Sequence, residues 1–532
     1  MANIDGEFRI EEFDMASFQR ASGVLLHPSA LPGLYGIGTL GAEALAFIDW
    51  LEMADQSYWQ ICPLVPTGFG DSPYQGLSAF AGNPNLIDLD YLVEQNLLTR
   101  EDLSHLASLP ASHVDYGSLI PAKTKVLFLA WERFASGKFS TGGENGISML
   151  EFDEFCGSSA HWLDEFCLFM VLKNRHSGKC WDEWEECFRL KEQDALNHES
   201  EEKKEDIRFH AFLQYLFHRQ WERIKKYANS RGIRIIGDLP IFVAFDSSDC
   251  WAHPELFQLD DEQRPILVAG VPPDFFCATG QLWGNPIYRW ERMAMDGYAW
   301  WLSVIQNKMS QYDVLRIDHF RGFVGCWAVP FGESTAVNGN WIPAPGEVFF
   351  TRVREVMGDL PIIAEDLGII TDDVLALLKK CGYPGMKVLQ FAFDPSEENG
   401  HHPHNYDEHC VVYTGTHDND TSAGWFEKAT PSVKTKAAEY LSIPSDSSGE
   451  TAALAMIRAA MASVAQLAIT PLQDILHLGG NARFNTPGTL GGNWIWRATT
   501  DSLDKRTARQ LRQLTKTYGR SGKRITLGNP DN

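Results

Sequence analysis

Short apolar segments alternate along this chain with longer stretches in which apolar residues recur at helical spacing. Eight segments have this apolar character: Gly23–Leu26, Tyr58–Cys62, Ile233–Gly237, Val314–Ile317, Pro361–Ala364, Met386–Phe391, Val411–Thr414 and Gln466–Ile469. Continuous runs of aliphatic residues are typical of parallel strands that are buried on both faces. Because the stretches between the later segments are long enough for crossover helices, the pattern predicts an α/β fold, a closed (β/α)8 or TIM barrel.

Two connections are too long to be simple crossovers. They cover about residues 63–231, after the second predicted strand, and about residues 240–313, after the third. We expect both to be inserted helical subdomains on a single catalytic barrel that takes up residues 1–532. The stretch 270–286 is so rich in Gly, Pro and Asn that we expect an irregular loop there, and loops carry functional residues more often than cores do.

The charge and composition of the chain exclude several classes of partner. The 46 Lys and Arg residues against 70 Asp and Glu residues give a net charge of -24, which disfavours nucleic acid and anionic membranes. The most apolar stretch, 452–469, is shorter than the roughly 20 residues of a membrane span and contains Arg458. We therefore expect no membrane partner, and the absence of a secretory pattern in residues 1–20 predicts a cytoplasmic protein.

Neither the cysteines nor the histidines form a clear metal site. The ten cysteines are scattered without a Cys-x-x-Cys pair, so we expect reduced thiols and no zinc. The cluster His401-His402-Pro-His404 lacks carboxylates at ligand spacing and is better explained as a solvated polar loop. The match of Gly36-Ile-Gly-Thr-Leu-Gly41 to a dinucleotide fingerprint is weak, because it does not follow a predicted strand directly. No metal and no cofactor is expected.

Three of the predicted strands run into carboxylates, at Asp318, Glu365 and shortly before Asp418. The carboxyl ends of barrel strands meet at one face, where catalytic residues of this fold lie. Taken singly, each acid is better explained as a helix cap or an ion pair. Three of them converging at one face indicate glycosidic-bond chemistry, because a retaining glycosidase uses one carboxylate as nucleophile and one carboxyl as acid and base.

The neighbouring residues indicate a role for each acid. Arg316 lies two residues before Asp318, on the same face of a strand, and should lower the pKa of Asp318 and keep it ionised as the nucleophile. Glu365 follows an all-apolar run, so that desolvation should favour its protonated form and make it a proton donor. Asp366 should face the opposite side and cap the following helix. Asp418, with His417 beside it, could bind sugar hydroxyls.

Aromatic residues in segments rich in Gly, Pro and Asn are the best candidates for sugar platforms. They are Tyr74 in Asp71-Ser-Pro-Tyr-Gln-Gly76, and Phe275, Phe276 and Trp283 in the stretch 270–286.

Together these residues resemble the amylomaltases, also called 4-α-glucanotransferases or disproportionating enzymes, of the α-amylase clan. The similarity runs nearly end to end and rests on seven blocks in order: Ser72-Pro-Tyr-Gln75, Gly237-Asp-Leu-Pro-Ile-Phe-Val243, residues 270–286, Arg316-Ile-Asp-His-Phe-Arg-Gly322, Ala364-Glu-Asp-Leu-Gly368, Gly415-Thr-His-Asp-Asn419, and Asn485-Thr-Pro-Gly-Thr489 with Asn493-Trp494.

The resemblance implies Asp318 as nucleophile, Glu365 as acid and base, and Asp418 as the third carboxylate, which binds the distorted sugar. The implied substrate-binding residues are Tyr74, Asp238, Phe275, Phe276, Trp283, Arg316, His319, His417 and Asn485. Tyr74 would stack under the sugar, and Asp238 matches the acid on the third strand of the clan. Phe276 and Trp283 match a flexible lid loop of the family, here 270–286, that closes over the glucan chain. Many relatives carry Tyr where this chain has Phe275, which removes a hydroxyl and keeps a ring for stacking.

The implied reaction is double displacement through a covalent glucosyl-enzyme, with retained configuration. It would move α-1,4-glucan segments between maltooligosaccharides, amylose or other starch-derived glucans, with glucose as acceptor or product and without metal or nucleotide. Because relatives occur in bacterial cytoplasm and in plastids, the plastid stroma is the alternative compartment.

Two other functions are compatible with the same residues. An α-amylase-like retaining hydrolase would use the same carboxylates with water as acceptor, and the aromatic stretch 270–286 favours transfer because it could exclude water. A non-catalytic glucan-binding protein could keep the barrel and the aromatic platforms without the acids. Product analysis distinguishes hydrolysis from transfer, and substitution of Asp318 by Asn tests whether the protein is catalytic at all.

Overall fold

The computed structural model describes residues 18–137, 146–273, 278–394 and 400–522. Within these ranges it contains twelve strands: β1 Ala21–Leu25, β2 Tyr58–Gln60, β3 Arg234–Leu239, β4 Leu267–Val271, β5 Gln281–Pro286, β6 Val314–Ile317, β7 Gly325–Pro330, β8 Asn340–Pro343, β9 Ile362–Ala364, β10 Gly385–Val388, β11 Cys410–Tyr413 and β12 Leu467–Pro471.

Eight of the strands form the predicted barrel. They pair in parallel in the order β10-β11-β12-β1-β2-β3-β6-β9, and the amide of Ala364 donates a hydrogen bond of 3.0 Å to the carbonyl of Pro384, next to β10, which joins the two ends of the sheet. Each of the eight predicted segments overlaps one of these strands, with ends that differ by up to three residues. The sixth is shorter than predicted, because the chain turns into a 3-10 helix, Leu389–Phe393, directly after Val388.

Helices surround the barrel. The described residues contain α1 Ala42–Met53, α2 Leu89–Glu94, α3 Tyr116–Ala135, α4 Met149–Arg175, α5 Glu186–Arg189, α6 Gln193–Glu202, α7 Lys204–Ser230, α8 Ser248–Ala252, α9 Trp290–Met295, α10 Ala299–Gln311, α11 Gly346–Met357, α12 Asp372–Cys381, α13 Ser422–Lys428, α14 Pro431–Leu441, α15 Gly449–Ala462, α16 Leu472–Ile475 and α17 Lys505–Thr517.

The first long connection contains α2 to α7. Its two 27-residue helices, α4 and α7, pack against each other through aromatic side chains, with Phe152 against Phe212 and Trp162 against His218. Large aromatic side chains bury enough apolar area to hold such an insertion together. The division of the chain into one catalytic barrel with two inserted subdomains stays a prediction.

A second sheet, which the sequence analysis did not anticipate, is antiparallel and has the strand order β5-β4-β7-β8. The expectation of irregular backbone throughout 270–286 is wrong, because β4 ends inside this stretch and β5 ends with it. The glycines and prolines are tolerated there since β5 is an edge strand, with Pro286 as its last residue, and since the β4–β5 register shifts between Val268 and Gly270.

The interior of the barrel is filled at one end by buried apolar side chains, among them Ile236, Val314, Ile363, Val411 and Ile469. These residues leave the carboxyl ends of the strands for polar side chains. Among the described residues, no helix combines the length and the apolar composition needed to cross a bilayer.

Candidate active site

Arg316 lies at the centre of the charged side chains at the carboxyl ends of the barrel strands. On β6 it is 3% exposed, and its Nη1 donates a hydrogen bond of 2.5 Å to Oδ2 of Asp238 on β3. Its Nη2 lies 2.9 Å from Oδ1 of Asp318, the residue that follows β6. One guanidinium group thus neutralises and orients two carboxylates from neighbouring strands.

Asp318 is subject to opposing influences. Burial raises the pKa of its carboxyl to about 6, with Asp238 and Asp418 adding repulsion, whereas Arg316 and His417 lower it. The expectation that Arg316 would hold this pKa low is therefore outweighed by desolvation, although Asp318 is still mostly ionised at pH 7.

Glu365 follows β9 and is held by two backbone amides. Its Oε2 accepts a hydrogen bond of 2.6 Å from the amide of His319, and its Oε1 accepts one of 2.8 Å from that of Leu367. Burial and the nearby charge of Asp318 raise the pKa of Glu365 to about 8. The carboxyl is therefore largely protonated at neutral pH, which agrees with the direction expected from the apolar run before it.

The backbone of His319 has a left-handed conformation, with a φ of 48° and a ψ of 52°. This conformation costs a non-glycine residue about 1–2 kcal/mol. In it, the amide of His319 donates the hydrogen bond that holds Glu365. Burial lowers the pKa of the imidazole to about 3, so the ring is neutral. The left-handed turn thus links the ends of β6 and β9.

Asp418 projects from the loop after β11 and is 45% exposed at its side chain. Its Oδ1 accepts a hydrogen bond of 2.6 Å from Nδ2 of Asn485 and lies 3.3 Å from Nε2 of His417. The carbonyl of Asp418 accepts a further hydrogen bond of 2.5 Å from Arg483, whose Nε donates to the carbonyl of Asn485 at 2.7 Å. Asp418 is thus held from both its backbone and its side chain.

Tyr74 connects Asp238, the partner of Arg316, to His417, the neighbour of Asp418. Its hydroxyl donates a hydrogen bond of 2.7 Å to Oδ2 of Asp238, and its ring stacks on the imidazole of His417 at 4.9 Å and 10°. Trp494 lies 5.8 Å from the Tyr74 ring. The Oδ1 of Asp238 is buried and has no hydrogen-bond partner within the described ranges.

The hairpin β4–β5 reaches this site from the second sheet. Trp283 on β5 packs edge-on against the ring of His319 at 4.8 Å, and its carbonyl accepts a hydrogen bond of 3.3 Å from Gln75, next to Tyr74. The sequence candidates Phe275 and Phe276 lie outside the described residues.

The structure therefore brings together ten of the twelve candidate residues: Tyr74, Asp238, Trp283, Arg316, Asp318, His319, Glu365, His417, Asp418 and Asn485. Their catalytic and binding roles stay predictions.

Sequence reasoning missed Arg483 and His27. His27 follows β1, is 7% exposed and lines a small cavity beside His417; the rule that chemistry lies at the ends of barrel strands could have found it. The expectation that Asp366 caps a helix is wrong, because its Oδ1 accepts a hydrogen bond of 2.6 Å from the amide of Met386 and α12 begins only after Thr371. The short β9 ends before this residue, so its carboxylate bridges to β10 instead.

No three His, Cys, Asp or Glu side chains in the described part of the chain come together so as to hold a metal ion. The cluster 401–404 packs instead against Tyr440, whose hydroxyl lies 3.0 Å from Nδ1 of His404. What the site offers is an ionised carboxylate, a protonated carboxyl and an exposed third carboxylate beside an aromatic platform. Such a set can carry out acid-assisted nucleophilic displacement at an anomeric carbon.

Comparison with known proteins supports the resemblance seen in the motifs. A family model described as 4-alpha-glucanotransferase matches residues 26–502. The chain is 48% identical to a 4-alpha-glucanotransferase of Thermus thermophilus over 93% of this chain and 98% of the relative. It is 42% identical to a chloroplastic/amyloplastic 4-alpha-glucanotransferase of Solanum tuberosum, over 94% and 87% of the two chains.

Among solved structures, the amylomaltase of Streptococcus agalactiae in complex with acarbose is similar with a TM-score of 0.89 and 40% identity. The match covers 95% of this chain and 100% of that structure. The similarity thus extends through the barrel and both long connections.

Proposed function

Because the chain belongs to the 4-alpha-glucanotransferase family, we propose that this site carries out retaining transfer of α-1,4-glucan segments between maltooligosaccharides. The observation that carries the proposal is the pair of unlike carboxyl groups around Arg316. Asp318 has a pKa of about 6 and Glu365 a pKa of about 8, so at neutral pH one is ionised and the other protonated. Two carboxyl groups with separated pKa values are what acid and nucleophile roles require.

In the first step, a carboxylate oxygen of Asp318 attacks the anomeric carbon of the donor and forms an ester bond. The glycosidic C–O bond breaks, and Glu365 gives its proton to the leaving oxygen. In the second step, Glu365 takes the proton from a hydroxyl of the acceptor glucan, which attacks the same carbon and releases Asp318. One α-1,4 bond is broken and one is formed, with retained configuration.

The remaining residues bind the sugar between these groups. Asp418 and Asn485 accept and donate hydrogen bonds at the exposed side of the site, while Tyr74 supplies a ring face whose position is fixed by His417. Hydrogen bonds of this kind strengthen as positive charge develops on the sugar ring.

Transfer requires that a sugar hydroxyl reach the glucosyl-enzyme before water does. The hairpin β4–β5 favours this outcome, because Trp283 contacts His319 directly and is tied to the Tyr74 segment through Gln75. An apolar ring at this place displaces water and offers a surface on which an acceptor can stack. Phe275 and Phe276 are proposed to extend this surface.

The proposed donors are maltooligosaccharides and starch-derived glucans such as amylose, and glucose is the smallest acceptor and leaving product. We propose a cytoplasmic enzyme, with the plastid stroma as the alternative, since the potato relative is named for plastids. Organelle fractionation of the source cells, followed by immunoblotting, separates the two compartments.

The test is incubation of the purified protein with maltotriose, with free glucose and total reducing ends followed over time. Glucose together with a ladder of longer oligosaccharides, at constant reducing ends, is the expected result. Rising reducing ends would show hydrolysis, and unchanged maltotriose would contradict catalysis altogether. The Asp318→Asn variant serves as the inactive control, and Asp261→Asn, on an exposed turn, as the matched active one.

A further inference from the structure

The three carboxyl groups of the site differ in how their backbone is supported. Asp318 directly follows β6 and Glu365 directly follows β9, so the hydrogen bonds of the barrel hold the backbone of both. Asp418 lies well beyond β11, which ends at Tyr413, on the connection 414–421 that leads to α13. A carboxylate on such a connection needs further support, because a displacement of about 1 Å can lower the rate of an enzyme on the order of 10²-fold.

Asp474, on α16 directly after β12, supplies this support. It is 1% exposed, and its Oδ2 accepts hydrogen bonds of 2.6 Å from the hydroxyls of Thr414 and Ser422. Its Oδ1 accepts another of 2.6 Å from the amide of Ser422. Thr414 directly follows β11 and Ser422 is the first residue of α13. One carboxylate thus joins the two ends of the connection that carries Asp418.

The hydrogen bonds to Asp474 are of the strong kind. Hydroxyl-to-oxygen distances of 2.6 Å are typical of an ionised carboxylate as acceptor. Thr414 and Ser422 are both fully buried, and a buried donor that loses its acceptor is left unsatisfied at a substantial cost in free energy. The ends of the connection are therefore held firmly as long as Asp474 is a carboxylate.

Inside the connection, separate hydrogen bonds hold its shape. The amide and the hydroxyl of Thr416 each donate a hydrogen bond of 2.9 Å to Oδ1 of Asn419, and the amide of Asp418 donates one of 3.2 Å to the hydroxyl of Thr416. These local contacts fix Asp418 relative to its neighbours in the chain. Asp474 fixes the same group of residues relative to the barrel, because β12 pairs with β11.

We propose that Asp474 is a positioning residue for glucan transfer, which acts by placing the carboxylate of Asp418 against the bound sugar. The inference rests on the function proposed above. Both oxygens of Asp474 are engaged by Thr414 and Ser422, so its effect on the rate is indirect. Asn485 contacts the carboxylate of Asp418 itself, whereas Asp474 holds the backbone on which that carboxylate is carried.

The test is a double-mutant cycle, with kcat/KM for maltotriose transfer measured on the full-length protein. Asp474→Asn keeps the size of the side chain but replaces one accepting oxygen by a donor, so the three hydrogen bonds cannot all be kept. We expect kcat/KM to fall about tenfold or more. In a protein that already carries Asp418→Ala, the same substitution should lower the residual kcat/KM less than about threefold, because the connection no longer carries the carboxylate that Asp474 places.

The matched control is Asp88→Asn, at the start of α2. Asp88 is also buried, and it likewise accepts hydrogen bonds from a hydroxyl and an amide, those of Thr39 at 3.0 Å and Tyr91 at 2.9 Å. This variant should lose melting temperature, as Asp474→Asn does, while its kcat/KM at 25 °C stays unchanged. The comparison separates loss of a buried carboxylate in general from loss of this one.

An unchanged kcat/KM in Asp474→Asn would overturn the proposal. Equal factors of loss with and without Asp418→Ala would also overturn it, because they would assign Asp474 a general effect on the fold. If Asp474→Asn is poorly folded by circular dichroism, Thr414→Val, which removes one of the three donors, takes its place in the cycle with the same expected coupling to Asp418. Absence of transfer in the unaltered protein would overturn the proposed function and this inference together, whereas normal transfer with equal losses contradicts this inference alone.

Discussion

Two neighbouring layers of the barrel interior contrast sharply, although they are built from the same strands. The lower layer is aliphatic and the upper layer is charged, two residues further along each strand: Ile236 precedes Asp238 on β3, Val314 precedes Arg316 on β6, and Ile363 precedes Glu365 at the end of β9. A step of two residues keeps a side chain on the same face of the sheet. One pleat therefore separates the part of the barrel that packs from the part that reacts.

The two layers contribute to stability with opposite sign. Each buried aliphatic side chain of the lower layer stabilises the fold by about 1.5–3 kcal/mol. In the upper layer, burial raises the pKa of Asp318 and of Glu365, which means that the fold holds these groups at a cost when they are ionised. Substitutions in the two layers should consequently separate activity from stability.

The largest effect is expected from Asp318→Asn. Loss of the nucleophile should lower kcat for glucan transfer on the order of 10⁴-fold or more, while the melting temperature changes little, because the amide removes a repulsion with Asp238 together with the attraction to Arg316. Initial rates on maltotriose and a thermal melt measure both. Undiminished transfer would refute the assignment of Asp318.

Glu365→Gln should lower the rate by about 10²–10⁴-fold, the range of general acid–base catalysis. Before substitution, the rate needs Asp318 ionised and Glu365 protonated, so kcat/KM should be bell-shaped, with limbs near pH 6 and pH 8. The residual activity of Glu365→Gln should lack the alkaline limb. A variant profile that keeps this limb would assign it to a different group.

Glu365→Gln also tests whether the buried carboxyl groups of the upper layer lower the stability of the fold. Glu365 binds its proton more tightly in the folded state, with a pKa of about 8 against an ordinary value of 4.5. Its contribution to stability is therefore present below pH 4.5 and is lost as the pH rises to about 8. Glu365→Gln should gain melting temperature over the unaltered protein across this window, and Glu347→Gln, on the surface of α11, should not.

Ile363→Ala tests the contribution of the aliphatic lower layer to stability. It removes a fully buried side chain two residues before Glu365 and should destabilise the protein by about 2–5 kcal/mol, with transfer activity at 25 °C largely retained. Chemical denaturation and a rate assay at low temperature check both results. Ile266→Ala, at a half-exposed residue directly before β4, should change neither. Equal destabilisation by both variants would contradict the assignment of the lower layer.

The barrel could be predicted because its strands are buried on both faces, which gives continuous apolar runs that stand out in the sequence. The second sheet could not. Its two edge strands, β5 and β8, have alternating or low burial. Asn340, Trp341 and Pro343 of β8 are exposed, and β5 contains Gly284 and ends in Pro286. Such edge strands are stabilised by their partner strands, which the local sequence does not show.

For the candidate site, the residue types and positions could be predicted from the strand ends, but the balance of forces could not. Whether Arg316 or desolvation decides the pKa of Asp318 depends on how deeply the group is buried, which no spacing reveals. Arg483 was missed for a related reason, because it acts on the backbone carbonyls of Asp418 and Asn485 and therefore belongs to no carboxylate pattern.

Tyr74→Phe should give the smallest effect of the series. It removes the hydroxyl that donates to Asp238 and keeps the ring that stacks on His417. A hydrogen bond to a charged group contributes about 1.5–3 kcal/mol, so kcat/KM should fall about tenfold or somewhat more. Most of the loss should be in kcat, because Asp238 still holds Arg316 but loses its second donor, whereas the stacking surface for the sugar remains.

The matched control is Tyr288→Phe, in which the hydroxyl of a fully buried ring donates to the carbonyl of Ile241. This variant should lose at least as much stability, since it also removes one tyrosine hydrogen bond, while its transfer rate stays unchanged. If both variants lost activity equally, the upper layer would affect the rate only through general stability. If Tyr74→Phe alone loses activity, the Tyr74–Asp238–Arg316 contacts position the nucleophile. The charged layer then acts on the rate directly, whereas the aliphatic layer acts on stability.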